Sequence, residues 1–286
     1  DAIRRVSEAI LTCKTYVIDL DLRSYFDTVR HHIVLRTVAD RINDDKVLHL
    51  LKLILKASGK QGVPQGGVIS PLLSNLYLNE VDKMQERAKT VTQYRQWSVV
   101  EYARFADDMV VLVSAHPKQR WLQGAVEKRL REELGKLEVE VNEDKTYRAE
   151  LSRGESFGFL GFEFRRVRSL AGRWMPLRRP QTKKRTALLR RLKVIFRSSR
   201  SQPVTQVIEK INRVLRGWVN YFAMGHASRC FSFIRNWVEQ KIRRHLAISR
   251  QRQGFGWKRW SRRWLYEALG LFDDYRVRPR SKVVPA

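Results

Sequence analysis

The chain has 286 residues and carries 57 Lys/Arg against 29 Asp/Glu, a formal charge of +28. Its 43% hydrophobic content, with 8 Trp, 9 Tyr and 12 Phe, is that of a folded protein and excludes general disorder. No apolar run approaches ~20 residues, which excludes a spanning helix. Two distant cysteines, Cys13 and Cys230, exclude a disulfide framework or a cysteine-rich zinc site. The length allows two packed domains, and a reducing compartment is expected. Asp1 is not a start residue and no signal-peptide pattern follows it, so the chain is expected to begin partway into a longer protein.

The elements are read in chain order. Ile3, Val6, Ile10 and Leu11 predict a helix over 1–12, and 15–22 alternates as a strand. A helix is expected from about His31 to Arg41. Asp44 is placed to cap the next one, whose apolar positions are Val47, Leu48, Leu51, Ile54 and Leu55. Residues 59–67 form a Gly/Pro loop, after which Ser70 as N-cap and Pro71 at N1 open a helix running toward Met84. Residues 97–105 and 109–114 predict two strands around a tight Asp turn. A helix over 121–134 follows, then a strand through Leu137, Val139 and Val141, and an aromatic hairpin over 157–164. This order is that of an α+β fold with a small antiparallel sheet and packed helices. Past Pro180 three basic amphipathic helices are expected, over 182–198, 203–222 and 229–249. The tail from Arg276 is expected to be poorly ordered.

Charge is unevenly spread. Residues 1–150 hold 24 Lys/Arg and 22 Asp/Glu, whereas residues 151–286 hold 33 and 7. The second part would repel itself without an anionic partner, and nucleic acid is the leading one. An anionic membrane surface is the rival. Aromatics interleaved throughout, with no single lipid-facing stripe, count against it. Arg185, Arg190, Arg191, Lys193 and Arg197 recur along one helix, and Arg213 and Arg216 lie off the stripe of Ile211, Val214, Leu215, Trp218, Val219 and Phe222. A solvated face explains any single charge run; it explains the collective excess poorly.

Asp19 and Asp21 share one face of the first strand, and Asp107-Asp108 form the turn between two apolar strands. An exposed Asp turn is common. Alternatively, three carboxylates from two separate strands, drawn from these four, can hold two Mg²⁺ ions, because hard oxygen ligands suit that ion and not zinc.

At these residues the sequence resembles the reverse transcriptases encoded by bacterial group II introns, the intron maturases. Residues 16–27, Tyr-Val-Ile-Asp-Leu-Asp-Leu-Arg-Ser-Tyr-Phe-Asp, resemble the family's first palm motif; residues 62–75, from Gly62 through Gln65, Gly66 and Gly67 to Asn75, resemble the second; and 102–108 resemble the metal-binding Tyr-Ala-Asp-Asp hairpin, with Phe105 in place of Tyr. The resemblance implies a right-hand polymerase palm over 1–180 with a remnant of the fingers. It implies a thumb and maturase domain X over 181–250, and a basic C-terminal extension over 251–286. It also implies RNA-directed DNA synthesis: a primer 3′-hydroxyl attacks a dNTP on an RNA template, with Mg²⁺ held by Asp21, Asp107 and Asp108.

In that reading Phe26 excludes a ribose 2′-OH, and core packing is its plain alternative. Gly66 and Gly67 allow close backbone approach, or simply make a loop, and Gln65 contacts template or nucleotide. Lys145 contacts phosphate or protonates pyrophosphate, or is a surface lysine. Phe157, Gly158 and Gly161 belong to a hairpin that grips the primer, or to an aromatic core hairpin, or both. Group II intron RNA is the implied partner, and the bacterial cytoplasm, at the nucleoid when acting on DNA, the implied place. Departures from the family pattern bear on activity. The fingers region that ordinarily precedes the first palm motif is reduced to about 15 residues, a small insertion common in relatives is missing between the helix at Val47–Leu55 and Gly62, and nothing after domain X resembles the Cys/His-rich endonuclease that some relatives carry. A polymerase-inactive splicing cofactor that only binds RNA is therefore the alternative, and a palm enzyme making RNA is a third reading that Phe26 argues against.

Overall fold

A computed structural model describes residues 1–57, 59–64, 66–94, 97–254 and 256–278. The chain forms two compact units, residues 1–160 with 165–176, and residues 161–164 with 177–286.

The first unit opens with α1 (Ala2–Leu11) and β1 (Lys14–Leu20). The short α2 (Tyr25–Thr28) and α3 (His31–Ala39) follow, then α4 (Asp45–Lys56). The Asp44 carboxylate accepts from the Lys46 and Val47 amides at 2.9 and 3.1 Å, so it caps α4 as the sequence predicts. Past the Gly/Pro loop come α5 (Ser70–Tyr77) and α6 (Asn79–Val91), two helices where the periodicity predicts one. Ile69 is the N-cap and Ser70 already lies inside α5, its hydroxyl donating to the Pro64 carbonyl at 2.6 Å. A ribbon of β2 (Gln93–Tyr94) and β3 (Trp97–Ser98) leads into β4 (Val100–Phe105) and β5 (Asp108–Ser114), then α7 (Arg120–Lys136).

The strand expected through Leu137, Val139 and Val141 does not form. The Val139 amide donates to the Leu134 carbonyl and the Glu138 amide to Gly135, while Glu138 sits at φ 52°. This is a helix-terminating motif with its left-handed residue at Glu138 and an apolar contact behind it. The alternation of Leu137 and Val139 thus reflects burial under a helix end. Only Val141 makes a β-bridge, to Leu22. The strand that completes the sheet is β6 (Tyr147–Glu150), so Lys145 precedes this strand rather than following one. The main sheet runs β4-β5-β1-β6, antiparallel throughout. Ile18, Leu20, Tyr102, Met109 and Val111 give it a core face that packs with Val34, Leu73, Val126 and Leu130 from the helices.

A second sheet of β7 (Ser156–Phe159), β8 (Phe162–Arg168) and β9 (Trp174–Pro180) holds the expected aromatic hairpin, and the division between the units falls within it. Its tight turn is Leu160-Gly161, at φ 47° and 78°.

The second unit is helical: α8 (Thr182–Ser198), α9 (Val204–Phe222), α10 (Ser228–Ser249) and the short α11 (Arg262–Glu267). Leu188, Leu192, Ile211, Leu215, Ile234, Val238 and Ile242 form its core, joined by Trp260, Leu265 and Leu271 from beyond α10. Glu239 and Arg243 are buried here together. Glu239 accepts from Arg243 Nη1 at 3.4 Å, from Arg262 Nε at 2.9 Å and from the Tyr266 hydroxyl at 2.9 Å. Arg243 also donates to the Trp260 carbonyl at 2.9 Å and lies over the Trp257 ring at 4.2 Å. Asn212 bonds the Gly270 carbonyl and the Phe272 amide, and the Arg278 amide donates to Ala223. The tail therefore stays tied to the helices through Arg278; residues 279–286 lie outside the described residues. Among the described residues no helix is long and apolar enough to cross a membrane.

Candidate active site and nucleic-acid interface

The register of the main sheet decides where the carboxylates stand. Asp19 pairs with Val110 and Leu20 with Met109, so Asp21 follows directly after β1 at the end of the sheet where Asp108 opens β5. Phe105 pairs with Asp108, which leaves Ala106-Asp107 as a two-residue turn with Ala106 at φ 56°. Asp21, Asp107 and Asp108 therefore share one end of the sheet. Asp21 and Asp107 are half-buried and Asp108 is exposed. The Asp21 carbonyl accepts from the Asn142 amide at 2.8 Å, and its carboxylate lies 3.7 Å from the Lys145 ammonium. Among the described residues no three His, Cys, Asp or Glu side chains are gathered closely enough to hold a metal ion. The donor chemistry at this end of the sheet is carboxylate oxygen, which fits a hard divalent cation such as Mg²⁺.

Beside the turn lies a cavity of about 600 Å³ whose lining includes Phe26, Ser74, Asn75, Tyr102, Phe105 and Ala106. The first-motif aromatic and the Asp turn thus border one space. Phe26 is half-buried and meets Tyr25 edge to face at 5.3 Å. Its backbone is clamped by the second motif: the Val63 amide donates to the Phe26 carbonyl and the Gly62 amide to Val29, both at 2.8 Å. The buried Tyr25 hydroxyl donates to the Ser74 carbonyl at 2.5 Å, and burial raises its pKa beyond the ordinary phenol range.

Gly62, at the head of the second motif, is where the loop crosses this segment. A Cβ there would lie 3.0 Å from the Asp27 carbonyl and 3.1 Å from that of Phe26, at φ 88°. Gly67 is tight as well, since a Cβ would come within 2.8 Å of the Ser70 hydroxyl. Gly66, at φ 84°, faces open space. Gln65 lies outside the described residues.

Lys145 is exposed, in the loop before β6. The Phe157 ring is buried at 3% exposure, so it packs inside the hairpin, with Gly158 half-buried beside it. In the second unit Gly161 at φ 78° approaches Lys184 and Phe222. Arg190, Arg191, Arg213 and Arg216 are exposed, while Arg185 is half-buried with its guanidinium over the Phe233 ring at 5.0 Å. On α9 the buried face and the arginine face separate as the sequence predicts.

With this geometry in hand the kinship is direct. Residues 4–164 match the model of the reverse transcriptase (RNA-dependent DNA polymerase) family, more than half of the chain, and the chain belongs to that family. Residues 185–266 match the group II intron maturase-specific domain. The two matches in this order make the chain a member of the group II intron-encoded reverse transcriptase/maturase family. Among curated relatives, Protein YkfC of Escherichia coli is 35% identical, over 60% of this chain and 53% of that protein. The group II intron-encoded protein LtrA of Lactococcus lactis is 24% identical, over 54% of this chain and 35% of LtrA. The chain thus spans about half, or less, of the length of these relatives. A solved structure of apo telomerase from Candida tropicalis overlaps 88% of this chain and 50% of its own, at 14% identity and a TM-score of 0.46.

Proposed function

We propose that the first unit is a polymerase palm that carries out RNA-directed DNA synthesis, and that the helical unit is a thumb and maturase domain that grips group II intron RNA. The observation that carries the proposal is the shared cavity. Phe26, clamped by the second motif, and the turn leading into Asp107 and Asp108 border the same space.

Asp21, Asp107 and Asp108, which share one end of the sheet but are not yet gathered around an ion, are the residues that would draw together to hold Mg²⁺, which when bound supplies charge neutralisation at the triphosphate and a lower pKa for the attacking hydroxyl. The chain's own residues do the rest. The Phe26 ring stands where a 2′-hydroxyl would clash, favouring deoxynucleotides. Gly67 keeps the second-motif loop close to α5. Lys145, beside Asp21, offers an ammonium to phosphate oxygens. The exposed Arg190, Arg191, Arg213 and Arg216 offer forked donors to an RNA backbone.

The test is extension of a DNA primer on an RNA template with dNTPs and Mg²⁺. Asp107→Ala should abolish extension and leave RNA affinity within about threefold, because the change removes no cation from the phosphate-facing surface. Failure to extend the primer, by this chain and by the chain together with any residues its gene encodes before Asp1, refutes the polymerase reading. The second reading, a splicing cofactor that binds RNA without synthesis, is favoured by the strongly cationic residues 151–286. It predicts undiminished intron splicing in the Asp107→Ala protein.

A further inference from the structure

Arg104, near the end of β4, has a side chain only 9% exposed, and its guanidinium is almost fully used. Nε donates to Asp82 Oδ1 at 2.8 Å and Nη2 to Asp82 Oδ2. Nη1 donates to Asn75 Oδ1 at 3.0 Å and to the Ala106 carbonyl at 2.9 Å. Asp82 belongs to α6 and Asn75 to α5; Ala106 is the first residue of the Asp turn.

We infer that Arg104 is a positioning residue that latches the Ala106-Asp107 turn to α5 and α6 and so fixes where the Asp107 and Asp108 carboxylates stand.

The physical argument has three parts. First, the turn needs holding. Ala106 is an L-residue at φ 56°, a left-handed conformation that a residue with a Cβ keeps only when neighbours enforce it. Second, the bond falls at the right atom. The Ala106 carbonyl belongs to the peptide plane that continues into Asp107, so holding that oxygen fixes where the Asp107 Cα stands and narrows the directions open to its side chain. Third, the latch has a rigid anchor. The Asp82 carboxylate takes two donors of the planar fork, which sets the guanidinium's orientation before the remaining nitrogen reaches Asn75 and Ala106. A lysine ammonium is a point donor and cannot span the three partners at once. The inference rests on the polymerase reading for its meaning, since it assigns Arg104 a role through the two aspartates.

The test uses the full chain with Arg104→Lys, Asp82→Asn, the double variant, and Asn75→Ala as the mildest change. Amide hydrogen exchange is followed by peptide, together with RNA affinity and primer-extension kinetics. For Arg104→Lys, exchange in the peptide covering 103–110 should rise about tenfold, with β1 and α7 unchanged, as expected for local opening. Asn75→Ala should raise it by a smaller factor. kcat should fall roughly 10–100-fold, the scale of a misplaced reacting group, while dNTP KM and RNA affinity stay within about twofold. Because one latch is broken in each case, the double variant should be no slower than Arg104→Lys by more than about twofold. Unchanged turn exchange in both Arg104→Lys and Asn75→Ala overturns the inference. So does exchange that rises equally across the sheet, or kcat losses that multiply in the double variant. If the unaltered chain extends no primer, the polymerase reading falls, and the exchange data alone still decide the latch.

Discussion

Replacing Glu239 by Ala should unfold the helical unit far more readily than any surface change. The carboxylate is 1% exposed and so is its partner Arg243. Truncation leaves Arg243 with the Trp260 carbonyl and the Trp257 ring but no anion. Breaking one side of a buried pair costs about 3–5 kcal/mol. The Tyr266 hydroxyl loses its acceptor as well, for about 1 kcal/mol. Arg262 is 55% exposed, so solvent screening holds its share between ~0 and 1 kcal/mol. A loss of at least about 3 kcal/mol follows, which lowers the Tm by roughly 10 °C in a unit of this size. Urea unfolding followed by Trp fluorescence and far-UV CD would measure it. Glu239→Gln, which keeps an acceptor, should lose about half as much. Glu239→Leu combined with Arg243→Leu should come back to within ~2 kcal/mol of the original, since no uncompensated charge remains and only the Tyr266 and Trp260 bonds stay lost. A Glu239→Ala protein within ~1 kcal/mol of the parent, or a double variant as damaged as the single one, refutes the reasoning.

Three further outcomes are expected. Asp44→Ala removes both bonds to the α4 amides and should cost about 1 kcal/mol in urea unfolding. Burial holds the His245 imidazole below its ordinary value of 6.5, against a smaller opposing hydrogen bond involving Gln202. The unfolded chain therefore takes up a proton near pH 6.5 that the native state resists, so stability falls as pH drops below that value, by at most about 1.4 kcal/mol per pH unit. His245→Leu should flatten the slope below about pH 6.5, measured as urea midpoints. Arg213→Gln with Arg216→Gln should weaken RNA binding uniformly across sequences and reduce the slope of log affinity against log salt by about 1.4–1.8.

What the sequence made legible is what local rules control. The α4 cap needs only Asp44 and two nearby amides, and the basic helices carry their periodicity openly. The Phe105-to-Asp108 turn is bounded by apolar strands on both sides. Other features depend on distant partners. β6 reads Tyr-Arg-Ala-Glu, too polar to announce a strand, and exists because β1 offers it an edge. β9, rich in Arg and Pro, is hidden for the same reason. Leu137 and Val139 mimic a strand because a helix end buries them in alternation. Phe26 and the Asp turn stand out in their motifs, whereas their bordering one cavity is a tertiary fact. Gly62 stood at the head of a motif, yet its close approach to the Phe26–Asp27 backbone is a tertiary fact. The Arg104–Asp82 pair spans 22 residues with no pattern linking the two.

The packing of residues 256–278 onto the helical unit sets a timetable for biosynthesis. Trp260, Leu265 and Leu271 fill the same core as Leu188 and Leu192, yet they are translated some seventy to eighty residues later. Until Leu271 leaves the ribosome, α8 to α10 present an open apolar seam amid a dense field of arginines. During that interval the nascent chain is both aggregation-prone and strongly attractive to polyanions.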